Sequence, residues 1–426
     1  MMIMVAVVFV LAYTMIAFEY SLKINKSAIA LLAAGLMWTL YSFASPLGVE
    51  VVNHQLTENL AETAAVVFFL ICAMTIVEII DSHGGFEVIT SRIKAKKLLS
   101  LLWIIGFITF YLSAILDNMA TTIAMIALMK RLLKERKQRL FFAGIIVIAA
   151  NAGGAWSPMG DITTTMLWIG GQISTVNIIK GVWLPSMLNL VVPLIITSFF
   201  LKGNIVPPDD IEDRATNISQ FEKNLMFFIG IGALIFVPIF KAITHLPPYL
   251  GILFTLGIVS LTSNILHRHK SDEEKEHLTL TRALKKIDMA SAIFFIGILL
   301  AVATLSANGM LPALGHWLDA KIGSQALIVI IVGFASAIVG NIPLVAASMG
   351  MYPLCQFPQD SLIWEIMAYC TGTGGSILII GSAAGVAAMG LEKIEFFWYA
   401  SRIGPLAFIG YFCGIVAYLI QYNLLH

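Results

Sequence analysis

Two carboxylates stand where carboxylates are costly. Asp117 lies in the middle of the apolar run 98–132, next to Asn118. Asp161 interrupts the run 139–170, inside Asn151-Ala-Gly-Gly-Ala-Trp-Ser-Pro-Met-Gly-Asp-Ile-Thr-Thr-Thr165. An acid at the centre of a membrane helix costs roughly 2.5 to 3.5 kcal/mol on insertion scales and marks an ion or substrate path. Neutral oxygen donors surround both: Thr121 and Thr122 after Asn118, and Asn151, Ser157, Thr163 and Thr164 around Asp161. Two later stretches offer the same donors without an acid, Ser336 with Asn341, and Thr371, Thr373, Ser376 and Ser382. Carboxylate, amide, hydroxyl and carbonyl oxygens are the ligands of a small hard cation. No Lys or Arg occurs in any of the four polar breaks, which disfavours an anion site. Buried carboxylates held close together readily keep protons, and a bound cation displaces them. That competition is sufficient chemistry for exchanging a cation against protons. The expected site has a sodium ion at Asp117, Asn118, Asp161 and Asn341, with Asn151, Thr163, Thr164 and Ser376 also binding ion or proton.

Each residue admits a plainer role. Asp117 and Asp161 can simply cap the half-helices that follow them. Asn118 and Asn341 can satisfy freed backbone, and Thr163 and Thr164 can bond back to helix carbonyls. Glu78 and Asp81 fall near the end of an apolar span, and Glu62 and Asp288 near span starts, so position alone makes them interfacial. Glu365 lies inside the apolar half-helix Leu362 to Met367 and divides evenly between an outer-surface position and a proton path.

The elements that must hold these residues are membrane helices. Of 426 residues, 59% are hydrophobic and 12% charged, where soluble domains carry about 25% charged residues. The net charge of +1 points to no nucleic acid or other polyanion. Cys72, Cys355, Cys370 and Cys413 stand singly, without metal-type spacing, and the eight histidines fall in loops or at span ends, so no resident metal, cofactor or enzyme constellation is expected. Residues 1 to 18 are apolar with no basic leader, and read as a retained span. Apolar windows of spanning length occur near 1–20, 27–44, 58–80, 139–170 (broken), 178–201, 223–243, 248–266, 288–307, 361–391 (broken) and 397–421. The runs 98–132 and 324–355 carry polar kinks at Asp117-Asn118 and Gly340-Asn341. Arms of about 16 residues reach roughly 24 Å, short of a hydrocarbon core of about 30 Å. Both are expected to be re-entrant hairpins.

The fold class expected is therefore all-α and polytopic: two inverted repeats, each with a hairpin and a broken helix, about ten spans in all. The first repeat takes 1–202, a cytoplasmic linker 203–222, and the second repeat 223–426. Ser113-Ala-Ile-Leu-Asp-Asn118 matches Ser336-Ala-Ile-Val-Gly-Asn341, Gly153-Gly154 and Gly160 match Gly374-Gly375 and Gly381, and Phe68-Phe69 matches Phe294-Phe295. Asn118 and Asn341 lie 223 apart, Gly153 and Gly374 221, and Phe68 and Phe294 226. Five crossings per half invert the second repeat, a recurring transporter plan in which broken helices meet near the midplane. The bias of Lys and Arg places both ends of the first hairpin and the loops 202–223 and 267–287 in the cytoplasm, and both termini outside. Lys241 is the exception to this bias, since it falls on the outer side.

At these motifs the chain resembles the NhaD-type sodium/proton antiporters of the ion-transporter superfamily. Ser113 to Asn118 and Gly153-Gly-Ala-Trp-Ser-Pro-Met-Gly-Asp-Ile-Thr-Thr-Thr-Met-Leu-Trp168 carry the likeness, and it runs over nearly the whole chain in span order. The resemblance implies electrogenic exchange of cytoplasmic sodium, or lithium, for external protons in a bacterial inner membrane, by a homodimer whose hairpins and broken helices move as an elevator. It carries the family's important polar positions onto Glu62, Ser113, Asp117, Asn118, Asn151, Asp161, Thr163, Thr164, Ser336 and Asn341, with Glu62, Ser113 and Ser336 in supporting roles beside Ser157 and Ser382, which their place in the breaks suggests. Where some relatives have an acid before the second asparagine, this chain has Gly340. Related dicarboxylate carriers have Ser-Asn-Thr at the hairpin tips, against Asp-Asn-Met and Gly-Asn-Ile here. The alternative function is a sodium-coupled di- or tricarboxylate carrier on the same fold.

Overall fold

The computed structural model describes residues 2–17, 23–90, 93, 95–205, 218–268, 270 and 278–425, so the heart of the expected linker, 206–217, and the charged loop 271–277 lie outside the described residues. The described residues form helices joined by short turns. In chain order these are α1 (Met2–Ala17), α2 (Lys26–Ala44), α3 (Val49–Ser82), α4 (Glu87–Thr90), α5 (Leu98–Leu116), α6 (Asn118–Leu132), α7 (Arg136–Ala155), α8 (Ile162–Ile169), α9 (Thr175–Ser198) and α10 (Gln220–Thr244). There follow α11 (Pro248–Leu266), α12 (Leu280–Lys286), α13 (Met289–Ala307), α14 (Met310–Ile322), α15 (Gln325–Val339), α16 (Asn341–Met351), α17 (Leu362–Gly374), α18 (Ala383–Glu392), α19 (Phe396–Arg402) and α20 (Gly404–Leu425). Among the described residues, nine helices are long and apolar enough to cross a membrane. The molecule is an all-helical, polytopic membrane protein.

Both expected hairpins are broken at one residue, Asp117 between α5 and α6 and Gly340 between α15 and α16. Both expected broken helices are present, α7 with α8 and α17 with α18. Three details differ from the hydropathy reading. The first hairpin's leading arm has 19 residues, about 28 Å of helix, which nearly matches the core thickness. Helix α3 has 34 residues and starts nine before the apolar window. Its early turns are too polar for a hydropathy window, yet they hold helical geometry with i,i+4 contacts such as His54–Glu58 at 3.5 Å. Helix α14 has no counterpart in the reading, because its charged residues and its 115° bend into α15 divide it from the apolar run.

The helices pack as two groups. Helices α1, α2, α3, α10, α11 and α13 pack on one another. Ser27 Oγ donates to the Ala290 carbonyl (2.8 Å) and Trp38 Nε1 to the Leu300 carbonyl (2.9 Å), fixing α2 on α13. Side-chain bonds to backbone of this kind replace the hydrophobic driving force that lipid removes. The hairpins, the broken helices, α9 and α20 form the second group. A seam runs between the groups.

At one end of the first group two histidines, at helix ends as expected, are buried. His83 follows α3 and His267 follows α11, with exposures of 0% and 2%. Their Nε2 atoms are 3.0 Å apart, and His83 Nδ1 is 2.6 Å from the Ile79 carbonyl. A carbonyl only accepts, so Nδ1 of His83 carries the proton and Nε2 accepts from His267. Burial pushes His83 down to about 4 and lowers His267 as well. The unfolded chain binds these protons near pH 6.5, so protons favour unfolding below that value. The melting temperature of the solubilised protein is expected to fall by about 2 °C or more between pH 7 and pH 5, and less in His83→Gln. A flat profile in the native protein excludes a neutral buried pair.

Candidate ion-binding site

Backbone geometry brings the four breaks together. Asp117 has φ 109° and ψ 159°, and Gly340 has φ 90° and ψ 148°. This region is open essentially to glycine alone. The second hairpin meets the demand with glycine, and the first imposes it on an aspartate. Each hairpin then packs its first arm against a broken helix by the same contacts. Ser113 Oγ donates to the Ala150 carbonyl (2.6 Å) and Ser336 Oγ to the Thr371 carbonyl (3.2 Å). A Cβ on Gly153 falls 2.1 Å from the Phe110 carbonyl oxygen, and one on Gly374 falls 2.2 Å from that of Gly333. The obstacle in each case is backbone, which cannot rotate away. Gly153→Ala is therefore expected to lower stability by about 1–3 kcal/mol or more and to separate hairpin from broken helix. Thermal unfolding in detergent checks this, and a native melting temperature in both Gly153→Ala and Gly374→Ala removes the close approach from the account.

Asp161 is the centre of what these contacts enclose. It is 1% exposed and caps α8, its Oδ1 accepting the Thr163 backbone N–H at 3.0 Å. Asn118 Nδ2, from the first tip, donates to Asp161 Oδ2 at 3.2 Å. Asn341 Nδ2, from the second tip, lies 3.5 Å from both carboxylate oxygens. Asn118 Nδ2 also donates to Asn151 Oδ1 (3.0 Å). Asn151 Nδ2 in turn donates to Ser376 Oγ (2.9 Å) and Ser382 Oγ (2.8 Å) of the second broken helix. One chain of bonds thus joins both tips to both breaks. Ser157 Oγ donates to the Ala114 carbonyl (2.5 Å) and Thr164 Oγ1 to the Ala155 carbonyl (3.4 Å), so these two tie the walls.

Asp117 stands apart from this network. It caps α6 by accepting the Ala120 N–H at 2.7 Å, and it is half-buried. It lines a cavity of about 270 Å³ in the seam, with Gly340, Asn341 and Ser382 at its inner end. Lys26, Glu78, Lys286 and Asp288 line it further out, where Lys286 Nζ meets Glu78 at 2.8 Å. The two acids are consequently unlike: Asp117 faces a passage, and Asp161 sits behind Asn118 and Asn341.

Of the residues expected at the site, Asn118, Asn151, Asp161, Thr163, Asn341, Ser376 and Ser382 meet in one network. Ser113, Ser157, Thr164 and Ser336 brace it, and Asp117 lies at its entrance. Glu62 is exposed on α3 and makes no hydrogen bond with the network. The position of Glu78 and Lys286 on the passage has no signal in the sequence, since span-end charges are common. The contact of Lys241 with Trp168 is signalled only by the unusual side of Lys241.

Residues 6–374 match the family described as citrate transporter (CitMHS). Sodium/proton antiporter 1 of Arabidopsis thaliana is 48% identical over 98% of this chain and 72% of its own length. Sodium/proton antiporter 2 of the same plant is 47% identical over 98% of this chain and 99% of its own. The Na(+)/H(+) antiporter NhaD of Vibrio cholerae serotype O1 is 30% identical over 97% and 90%. With this fold, these motifs and near full-length matches, the chain belongs to the citrate transporter family and within it to the NhaD-type transporters.

Proposed function

We propose that this protein exchanges sodium, or lithium, for protons across a membrane. The observation that carries the reading is Asp161, a buried carboxylate where both hairpin tips and both broken helices meet, ringed by oxygen ligands and asparagine amides. The names of the relatives, sodium/proton antiporters from a plant and from a bacterium, support the same reading. In the state seen here Asn118 and Asn341 turn their NH₂ groups to Asp161. An amide that rotates by half a turn offers its oxygen instead. A cation arriving through the cavity meets Asp117 first, loses water there, and reaches Asp161 as the two amides turn. Protons held on the carboxylates leave by the same passage, because a cation and a proton cannot share them.

The passage opens at the end that carries Lys26 and Lys286, which the positive-inside bias assigns to the cytoplasm. This is then the inward-open state, with both termini outside. The group holding hairpins and broken helices moves as an elevator along the other. Exchange of two protons for one sodium moves net charge, and the potential contributes about 2.3 kcal/mol per charge per 100 mV.

A second reading, uptake of a di- or tricarboxylate with sodium, is favoured by the family's description. A di- or tricarboxylate is best held by Lys or Arg, and the four breaks contain neither, while Asp117 and Asp161 add negative charge there. Proteoliposomes with an imposed pH gradient separate the two. Sodium is expected to collapse the gradient, without citrate or succinate. Carboxylate uptake with an undisturbed gradient establishes the second reading in its place.

A further inference from the structure

Lys241 joins the two helix groups across the seam. It lies in the last turn of α10, in the group that contains α3 and α11. Its Nζ donates to the Trp168 carbonyl at 2.6 Å and stands 4.3 Å from the centre of the Trp168 indole. Trp168 is buried, and its ring meets Phe69 of α3 edge-on at 6.2 Å. The first group therefore touches Trp168 through both an ammonium and an aromatic edge. Trp168 lies in the last turn of α8, the same short helix that Asp161 caps. About 12 Å of helix separates the two ends. The Trp168 carbonyl, which also accepts the Gly171 N–H at 3.4 Å, lies in the last turn of α8, where partial negative charge makes a cation favourable.

We propose that Lys241 is a positioning residue, a latch that keeps the group holding Asp161 in its cavity-open state. The proposal rests on the reading that this group moves against the other. Hydrogen bond and ring contact are both short-ranged, so a slide of a few ångströms along the seam breaks them together. A slide therefore costs the half-buried ammonium its charge-assisted bond and its ring contact at once, so the contact resists departure. Lys241 touches no residue of the ion network, and its removal should alter the balance of states and leave the ligand set intact.

Ala73→Cys on α3 places a thiol on the cavity wall. The four native cysteines are replaced by alanine, and the thiol is labelled with a membrane-impermeant maleimide from the cavity side. Lys241→Met is expected to slow labelling roughly fivefold, the scale of one charge-assisted contact. It should weaken apparent sodium affinity on that side by a similar factor while maximal exchange persists. Lys241→Arg, which keeps charge and donors, should label within about twofold of the native residue. If Lys241→Met does not insert, Lys241→Gln, uncharged and one bond shorter, is read for the same slowing. Unchanged or faster labelling in the Met or Gln variant overturns the latch. A protein with Lys241 in place whose labelling ignores both sodium and an imposed pH gradient overturns the moving-group reading itself. Labelling that responds to sodium but not to Lys241 removes only the latch.

Discussion

Asp161→Asn is expected to abolish sodium-driven proton movement, with sodium affinity reduced at least about a hundredfold. The size follows from what the substitution changes and what it spares. Asparagine caps helices about as well as aspartate, so the bond from the Thr163 N–H survives and α8 keeps its first turn. Volume is unchanged, so hairpins and broken helices still pack through Gly153 and Gly374. What disappears is the one negative charge of the enclosed network. Its replacement amide also brings an NH₂ toward those of Asn118 and Asn341, which now point at carboxylate oxygens. At least one amide must turn, or a buried donor loses its partner, at about 1–3 kcal/mol. Loss of a buried charge partner is worth about 3–5 kcal/mol, and a hundredfold in affinity is about 2.8 kcal/mol. Calorimetric titration with sodium measures the affinity, and gradient collapse in proteoliposomes measures the exchange. A folded Asp161→Asn protein that binds sodium within a few-fold of native removes Asp161 from the centre of the site.

Much of this arrangement is legible in the amino-acid sequence, and the reasons are physical. Polar residues cannot interrupt an apolar run in lipid without partners, so the breaks at Asp117, Asn151–Thr165, Gly340 and 375–382 announce themselves. The matched words Ser113 and Ser336, or Gly153 and Gly374, stand out because close backbone approach tolerates so few residue types. Two things are hidden. The first is the early part of α3, where solvated helix resembles loop to any hydropathy window. The second is the division of labour between the acids. The place of each acid in the chain, beside Asn118 for Asp117 and after Asn151 for Asp161, does not say that Asp161 is enclosed while Asp117 lines the passage. Nor does it say that Asn151 reaches two serines of the other half, since Ser376 and Ser382 are 225 and 231 residues away in the chain. Partners chosen by packing have no local signature.

Asp117→Gly is expected to yield a protein at least as stable as the native one that exchanges ions about a hundredfold more slowly or not at all. The backbone argues for the first half. At φ 109° and ψ 159° Asp117 occupies a conformation that costs a side chain about 1–3 kcal/mol. Gly340 holds the matching tip at φ 90° and ψ 148° with none of that cost. Glycine gives up the cap on the Ala120 N–H, worth only a few tenths of a kcal/mol in this exchange, and adds about 0.5–1 kcal/mol of unfolded-state entropy. The terms balance or favour glycine. Strain kept in place by surrounding structure marks function more than fold, and the cavity supplies that function: Asp117 is the carboxylate at its inner end. Removing it leaves Asn341 and Ser382 to strip water from a cation with no charge to help. Asp117→Asn separates the two effects, since asparagine meets the same backbone cost as aspartate and keeps the cap but carries no charge. Asp117→Ala should lose both stability and exchange, having neither glycine's freedom nor a cap. Melting temperature and gradient collapse, read side by side for the three variants, decide the matter. Fast exchange in Asp117→Gly would place the path elsewhere, and a lower melting temperature in that variant would show that the carboxylate holds the hairpin tip together.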